Sequence, residues 1–224
     1  MHVGLIGGIG PAATEFYYRG LVRIHAAAGK RLELTIANAE VREMTANMDP
    51  ENPSAQAAIF ARHIDQLKGA GAKAAAVTSM GGHFCIRQLD AVSSLPLINA
   101  IPALDAHFSH LGAKRIGLLG SGAVMRSKFY GGVTSVEIAS PPPGELEQVH
   151  AAYVAMATAA VATDADRAFF REAGRRLVRD QGVDVVVLSG TDLFLAFDGT
   201  DPGYPLADAA LIHIDAISKL SLAG

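Results

Sequence analysis

Two short stretches of this 224-residue chain hold side chains able to move a proton. The first, Thr78-Ser79-Met80-Gly81-Gly82-His83, closes an apolar run and sets two hydroxyls near an imidazole. Because imidazole titrates near neutral pH, His83 is a candidate general acid or base, with Ser79 as its hydrogen-bonded neighbour. The second, Ser189-Gly190-Thr191-Asp192, closes another apolar run and adds a hydroxyl and a carboxylate. Two glycine-bearing turns complete the set: Gly8-Ile9-Gly10 before Pro11, and Ser121-Gly122 before Met125. Turns that open a helix present backbone N–H groups to an anion, and Ser121 adds a hydroxyl. Asn99 offers both a donor and an acceptor. For each turn the alternative is a plain helix start with no ligand.

Other chemistries find less support. Gly8-x-Gly10-x-x-Ala13 fits the dinucleotide fingerprint only loosely. Pro11 removes an N–H where a phosphate would need one, and no carboxylate ends the second strand. His63, His107, His110 and His150 fall on predicted helices with no acid at ligand spacing, so they read as surface or satisfied core residues. Neither a cofactor nor a metal is expected.

These residues need a frame that brings strand ends together. Short apolar runs alternate with longer amphipathic segments, the pattern of a mostly parallel sheet with crossover helices. Strands are predicted at Val3–Ile6, Leu32–Ala37, Ala74–Thr78, Leu97–Asn99, Ile116–Leu119, Val133–Ile138, Val183–Ser189 and Pro205–Ala207. Helices are predicted at Ala12–Ala28, Ser54–Ala70, Ile101–Leu111, Glu145–Val161, Ala165–Asp180 and Asp208–Leu220, with Ser140–Glu145 as a proline-rich connection. Half the residues are hydrophobic and 18% are charged, enough apolar material for a full core. The net charge of −3, with 19 scattered basic residues, does not suit nucleic acid and leaves a small molecule as the expected partner. A single cysteine, Cys85, excludes an internal disulfide and fits a reducing cytoplasm. No signal peptide or membrane span is predicted.

The chain also repeats itself. "VGLIGG" at Val3–Gly8 returns as "IGLLGS" at Ile116–Ser121, 113 residues on, and "GAKAAAVTSM" at Gly71–Met80 returns as "GVDVVVLSGT" at Gly182–Thr191, 111 residues on. Two similar α/β lobes are therefore expected, 1–99 and 100–206, with a C-terminal helix over 207–224 packing back on the first. Ligands of open α/β sheets bind at strand carboxyl ends, so the turns after Ile6, Thr78, Leu119 and Ser189 are expected to face one cleft.

In order and spacing, "GGIGP", "GAKAAAVTSMGGH", "RIGLLGS", "KFY", "GVDVVVLSGTD" and "PLADAALIHIDA" resemble the aspartate/glutamate racemase family over essentially the whole chain. The resemblance implies a cofactor-independent isomerase of two pseudo-symmetric lobes, an active site between them, and a homodimer. It also implies a cysteine, asparagine, threonine, variable residue and histidine motif in the first lobe, and a glycine, cysteine, threonine, acid motif in the second. Here the first cysteine falls on Ser79, its two neighbours on Met80 and Gly81, and the histidine on His83. The second cysteine falls on Gly190, with Thr191 and Asp192 keeping the pattern. In "EVREMT" Met44 occupies the slot of the family's anion-binding arginine and Arg42 stands two places away. Asp208 matches a family aspartate and could orient a neighbour or cap the last helix; the cap is favoured.

Both thiols are thus missing. Inverting an α-carbon takes an acid/base group on each side of it. A thiol titrates near ~8.5, whereas a hydroxyl lies closer to water near ~15.7, so Ser79 is a weak base and Gly190 none. Cys85 is expected in the following helix, facing the core. The expected function is action on a small carboxylic or amino acid by one-sided acid/base chemistry, as a lyase, decarboxylase or isomerase. The alternatives are a racemase with unconventional bases and a catalytically silent carboxylate binder. Met80-Gly81 predicts a ligand bulkier or less polar than aspartate. The helical segment after "NMDPENP" suits pairing of two chains, so sedimentation at micromolar concentration should show about twice the 23.3 kDa monomer mass.

Overall fold

The structure, a computed structural model, describes residues 1–47, 49 and 51–223, apart from the side chains of Met44 and Thr45. The Met44 side chain and residues Met48 and Pro50 therefore lie outside the described residues. The fold is α/β, with two parallel sheets flanked by helices. The chain divides into two compact units, Met1–Asn99 with His213–Gly224, and Ala100–Ile212.

In the first unit, β1 (Val3–Gly7) lies between β2 (Leu34–Asn38) and β3 (Ala74–Val77), all parallel. Every residue of β1 and β3 is buried, as continuous apolar strands covered on both faces should be. A single bridge from Ala75 to Leu97 is all that forms of the strand predicted at Leu97–Asn99. Helix α1 (Pro11–Ala27) starts with proline at its first position, where the missing N–H costs nothing. Helix α2 (Val41–Ala46) follows β2, and α3 (Pro53–Gly69) lies so close to β1 that a Cβ on Gly4 would stand 2.9 Å from Leu67. After β3 comes a 3-10 turn, Gly81–Cys85, and then α4 (Ile86–Val92), so Cys85 ends the turn before the helix in which it is expected.

The second unit opens with α5 (Ala100–Leu111) and carries a parallel sheet of order β5-β4-β6-β7. Its strands are β4 (Arg115–Leu119), β5 (Glu137–Ala139), β6 (Val185–Leu188) and β7 (Leu206–Asp208). The helices are α6 (Gly122–Ser127), α7 (Pro143–Ala159), α8 (Asp164–Gln181) and α9 (Phe194–Phe197). Only the end of the strand predicted at Val133–Ile138 pairs, because the N–H groups of Thr134 and Ser135 donate instead to Asp105 Oδ1 at 2.7 and 2.8 Å. Pro143 is the first residue of α7, so the proline-rich connection is shorter than expected. Asp208 ends β7, and α10 (Ala209–Ala223) follows at once. The expected boundary at 207 is displaced to Ile212, within α10.

From His213 onward α10 belongs to the first unit and is tied to α1. The Tyr17 hydroxyl donates to His213 Nδ1 at 3.0 Å, and Ser221 Oγ donates to His25 Nε2 at 3.0 Å. Among the described residues no helix is long and apolar enough to cross a membrane.

The repeat seen in sequence has a structural counterpart. In each unit the first strand is flanked by the next two, β2-β1-β3 and β5-β4-β6. At the end of β3, Thr78 sends both its N–H (3.1 Å) and its hydroxyl (3.0 Å) to the Ile6 carbonyl. At the end of β6, Ser189 sends its N–H (2.7 Å) and hydroxyl (2.8 Å) to the Leu119 carbonyl. Thr78→Val and Ser189→Ala should therefore each cost about 1 kcal/mol, with the double variant losing the sum, as read from urea unfolding.

Candidate functional site

In the first unit, Gly7 and Gly8 turn the chain from β1 into α1. Gly8 has φ of +92°, and a Cβ there would stand 2.4 Å from the Ala39 carbonyl oxygen, so only glycine fits. Its N–H donates to Thr14 Oγ1 at 2.9 Å, and that hydroxyl donates to the Gly10 carbonyl at 3.1 Å. The Gly8 amide is thus held by the protein and not offered to a ligand, a correction to the sequence expectation. Gly10 caps α1 without a side-chain bond, and the first turn holds no acidic residue. Asn38 at the end of β2 is exposed and leans toward Gly8, with its Oδ1 2.5 Å from where a Gly8 Cβ would be. Its position beside the turn was not anticipated, because it depends on the β1–β2 register Gly7↔Asn38.

At the end of β3 the Thr78 hydroxyl gives its proton to the Ile6 carbonyl, so it cannot also donate to a ligand. Ser79 is 8% exposed; its Oγ accepts the Gly82 N–H at 3.3 Å, and its carbonyl accepts from His83 Nδ1 at 2.7 Å. His83 is therefore partnered by the Ser79 backbone, and not by the hydroxyl that the sequence suggested. That bond places the proton on Nδ1 and leaves Nε2 as the basic nitrogen. The ring is buried and meets His213 edge-on, with centroids 5.7 Å apart. Burial drives the His83 pKa down to about 4, with the Ser79 carbonyl opposing. Burial, and then His83 itself, drives His213 down to about 3. His213 Nε2 donates to the Ile98 carbonyl at 2.7 Å, which completes a line from Tyr17 through His213 to the end of the unit's last extended segment.

Met80 is fully buried, so the apolar ligand surface expected of it is part of the core. Gly82 is buried beneath Phe60, whereas Gly81 and Asn99 are half-buried. Arg42 is exposed on α2. Cys85 is buried, its Sγ donates to the Gly82 carbonyl at 3.4 Å, and burial pushes its thiol up to about 12.

In the second unit, Ser121 caps α6 by accepting the Val124 N–H at 3.4 Å. The Gly122 N–H donates to His150 Nδ1 at 3.2 Å, so this amide too is taken, and His150 on α7 is the residue that takes it. Met125 is fully buried. The ends of β4 and β6 approach so closely that a Cβ on Gly120 would stand 2.6 Å from the Gly190 nitrogen. Above Gly190 lies the ring of Tyr153 from α7, with Cε2 2.4 Å from an ideal Gly190 Cβ. The Tyr153 hydroxyl donates to Asp192 Oδ2 at 3.2 Å. Burial, with the Asp192 carboxylate adding to it, pushes the phenol well above its ordinary range. Thr191 and Asp192 are themselves buried. Asp208, in register with Leu188, accepts the Ala210 N–H at 2.8 Å as a helix cap, and burial raises its carboxyl to about 6. Among the described residues no group of three or more His, Cys, Asp or Glu side chains could hold a metal ion.

A profile of the Asp/Glu/Hydantoin racemase family matches residues 6–217. The chain belongs to this family. No curated protein sequence matches it. Among solved structures, a putative Asp/Glu racemase from Yersinia pestis is 24% identical with a TM-score of 0.84, over 99% of this chain and 100% of that one. An aspartate racemase homologue from Pyrococcus horikoshii is 23% identical with a TM-score of 0.81, over 99% of each chain. Allantoin racemase from Klebsiella pneumoniae is 16% identical with a TM-score of 0.64, over 100% of this chain and 89% of that one. At these identities the likeness concerns the fold.

Family membership makes the burial of His83 testable through acid stability. The folded state refuses, between about 4 and 6.5, a proton that the unfolded chain binds, so stability present above 6.5 is lost as the pH falls toward 4. His83→Phe should flatten the pH dependence in that window by about 1.4 kcal/mol per pH unit, measured by urea unfolding at successive pH values.

Proposed function

We propose that this racemase-family chain is an enzyme that binds a small carboxylic or amino acid and moves a proton on one face of one carbon. The observation that carries this reading is the pair of residues at the thiol positions: a serine whose oxygen already accepts an amide, and a glycine covered by a tyrosine ring. A reaction that inverts a carbon needs two acid/base groups, whereas elimination, decarboxylation or positional isomerisation needs only one. The carboxylate class is supported by the start of α1 at Gly10, which has no side-chain cap bond and no acidic residue in its first turn. Structural relatives named as an aspartate racemase and a glutamate racemase carry acids of this class in their names.

Ser79 is the group at the primary position, and the neutral imidazole of His83, fixed to the Ser79 carbonyl, sets the conformation of its turn. The burial of His83 favours a second reading, a carboxylate binder without turnover. Solvent-deuterium incorporation, followed by mass spectrometry over a panel of small carboxylic and amino acids, separates the two. The expected outcome is no interconversion of L- and D-aspartate or glutamate, together with one acid converted or labelled in a single configuration and slowed about 10²-fold or more by Ser79→Ala. Rapid interconversion of aspartate or glutamate would overturn the proposal.

A further inference from the structure

Gly190 is an unusual glycine. Its φ lies outside the left-handed region, so its backbone would accept any L-residue. What refuses a side chain is one ring: Tyr153 Cε2 and Cζ lie 2.4 and 2.7 Å from an ideal Cβ at position 190. The ring cannot swing aside freely, because its hydroxyl is anchored to Asp192 at the other end of the same turn. Tyr153 and Gly190 are therefore a matched pair, contributed by α7 and by the end of β6.

We propose that Tyr153 is a specificity-determining residue: its ring takes the space of a side chain at position 190, and its hydroxyl, tied to Asp192, closes that strand end to a second acid/base group. The inference rests on the one-sided reading above and supplies its physical cause. A phenol pushed upward by burial and by the adjacent carboxylate keeps its proton at neutral pH, so it is no base. Its proton is directed at Asp192, so it is not aimed at a ligand either. The family's second thiol position is thus filled by a group that neither accepts nor releases a proton, and a substrate meets a wall there.

The test uses thiol chemistry in the full chain, with Gly190→Cys placed beside tyrosine, phenylalanine or alanine at position 153. Cys85 gives a low background, being buried and pushed up to about 12. With Tyr153→Ala the new thiol should react with iodoacetamide at least about 10-fold faster than with tyrosine or with Tyr153→Phe, which keeps the ring and loses only the hydroxyl. Equal rates in all three backgrounds would overturn the proposal. If Gly190→Cys folds only beside Tyr153→Ala, the ring is shown to be the obstacle. A second measurement leaves position 190 untouched: p-cresol should raise the melting temperature of Tyr153→Ala and leave wild type unchanged. No shift would mean that the ring fills no defined space. Neither readout depends on turnover, so failure of the deuterium experiment and failure of this inference are separate results.

Discussion

One carbonyl in each unit accepts two hydrogen bonds from a single residue, and the geometry of each strand end follows from that. The Ile6 carbonyl holds Thr78, and the Leu119 carbonyl holds Ser189. A hydroxyl and an amide from one residue fix both where the later strand stops and the direction in which the chain leaves it. The following residues, Ser79 in one case and Gly190 in the other, therefore start from a defined point beside the turn of the first strand. The same pinning brings Gly120 against Gly190, and a side chain at Gly120 would press on the backbone of the other strand end. The hydroxyls at 78 and 189 thus serve the scaffold.

The parallel sheets were legible because apolar runs such as Val3–Gly7 and Val185–Leu188 are buried and read as strands, whereas the strand order came only with the fold. The repeat was legible for the same reason, since β1 and β4 hold equivalent central places. Helices α2, α6 and α9 were not legible. Each has only four to six residues, too few for a helical period to show. The strand expected from Val133 failed because Asp105, far away in sequence, takes the amides that would have paired.

The candidate site was legible in its residue types and illegible in their partners. Ser79, His83 and Gly190 stand out by spacing, yet that His83 would be buried against His213 depends on α10 returning to the first unit. Tyr153 leaves no mark in the sequence. It lies 37 positions before Gly190, in a helix whose apolar face is poorly defined, and only the packing of α7 on the strand end brings them together. Local pattern reports which groups are present. Which of them are already engaged, as with the amides of Gly8 and Gly122, is a tertiary fact.

The first unit is assembled from two separate stretches of chain, with all of the second unit between them. Protein synthesis proceeds from the N-terminus, and units fold as their residues emerge. Residues 1–99 leave the ribosome without His213 and Ser221, so the bonds from Tyr17 to His213 and from Ser221 to His25 form only once the last helix has been made. The second unit is continuous and can complete its own sheet first. The first unit can therefore be completed only after the whole of the second has been synthesised, and it is the docking of α10 that completes it.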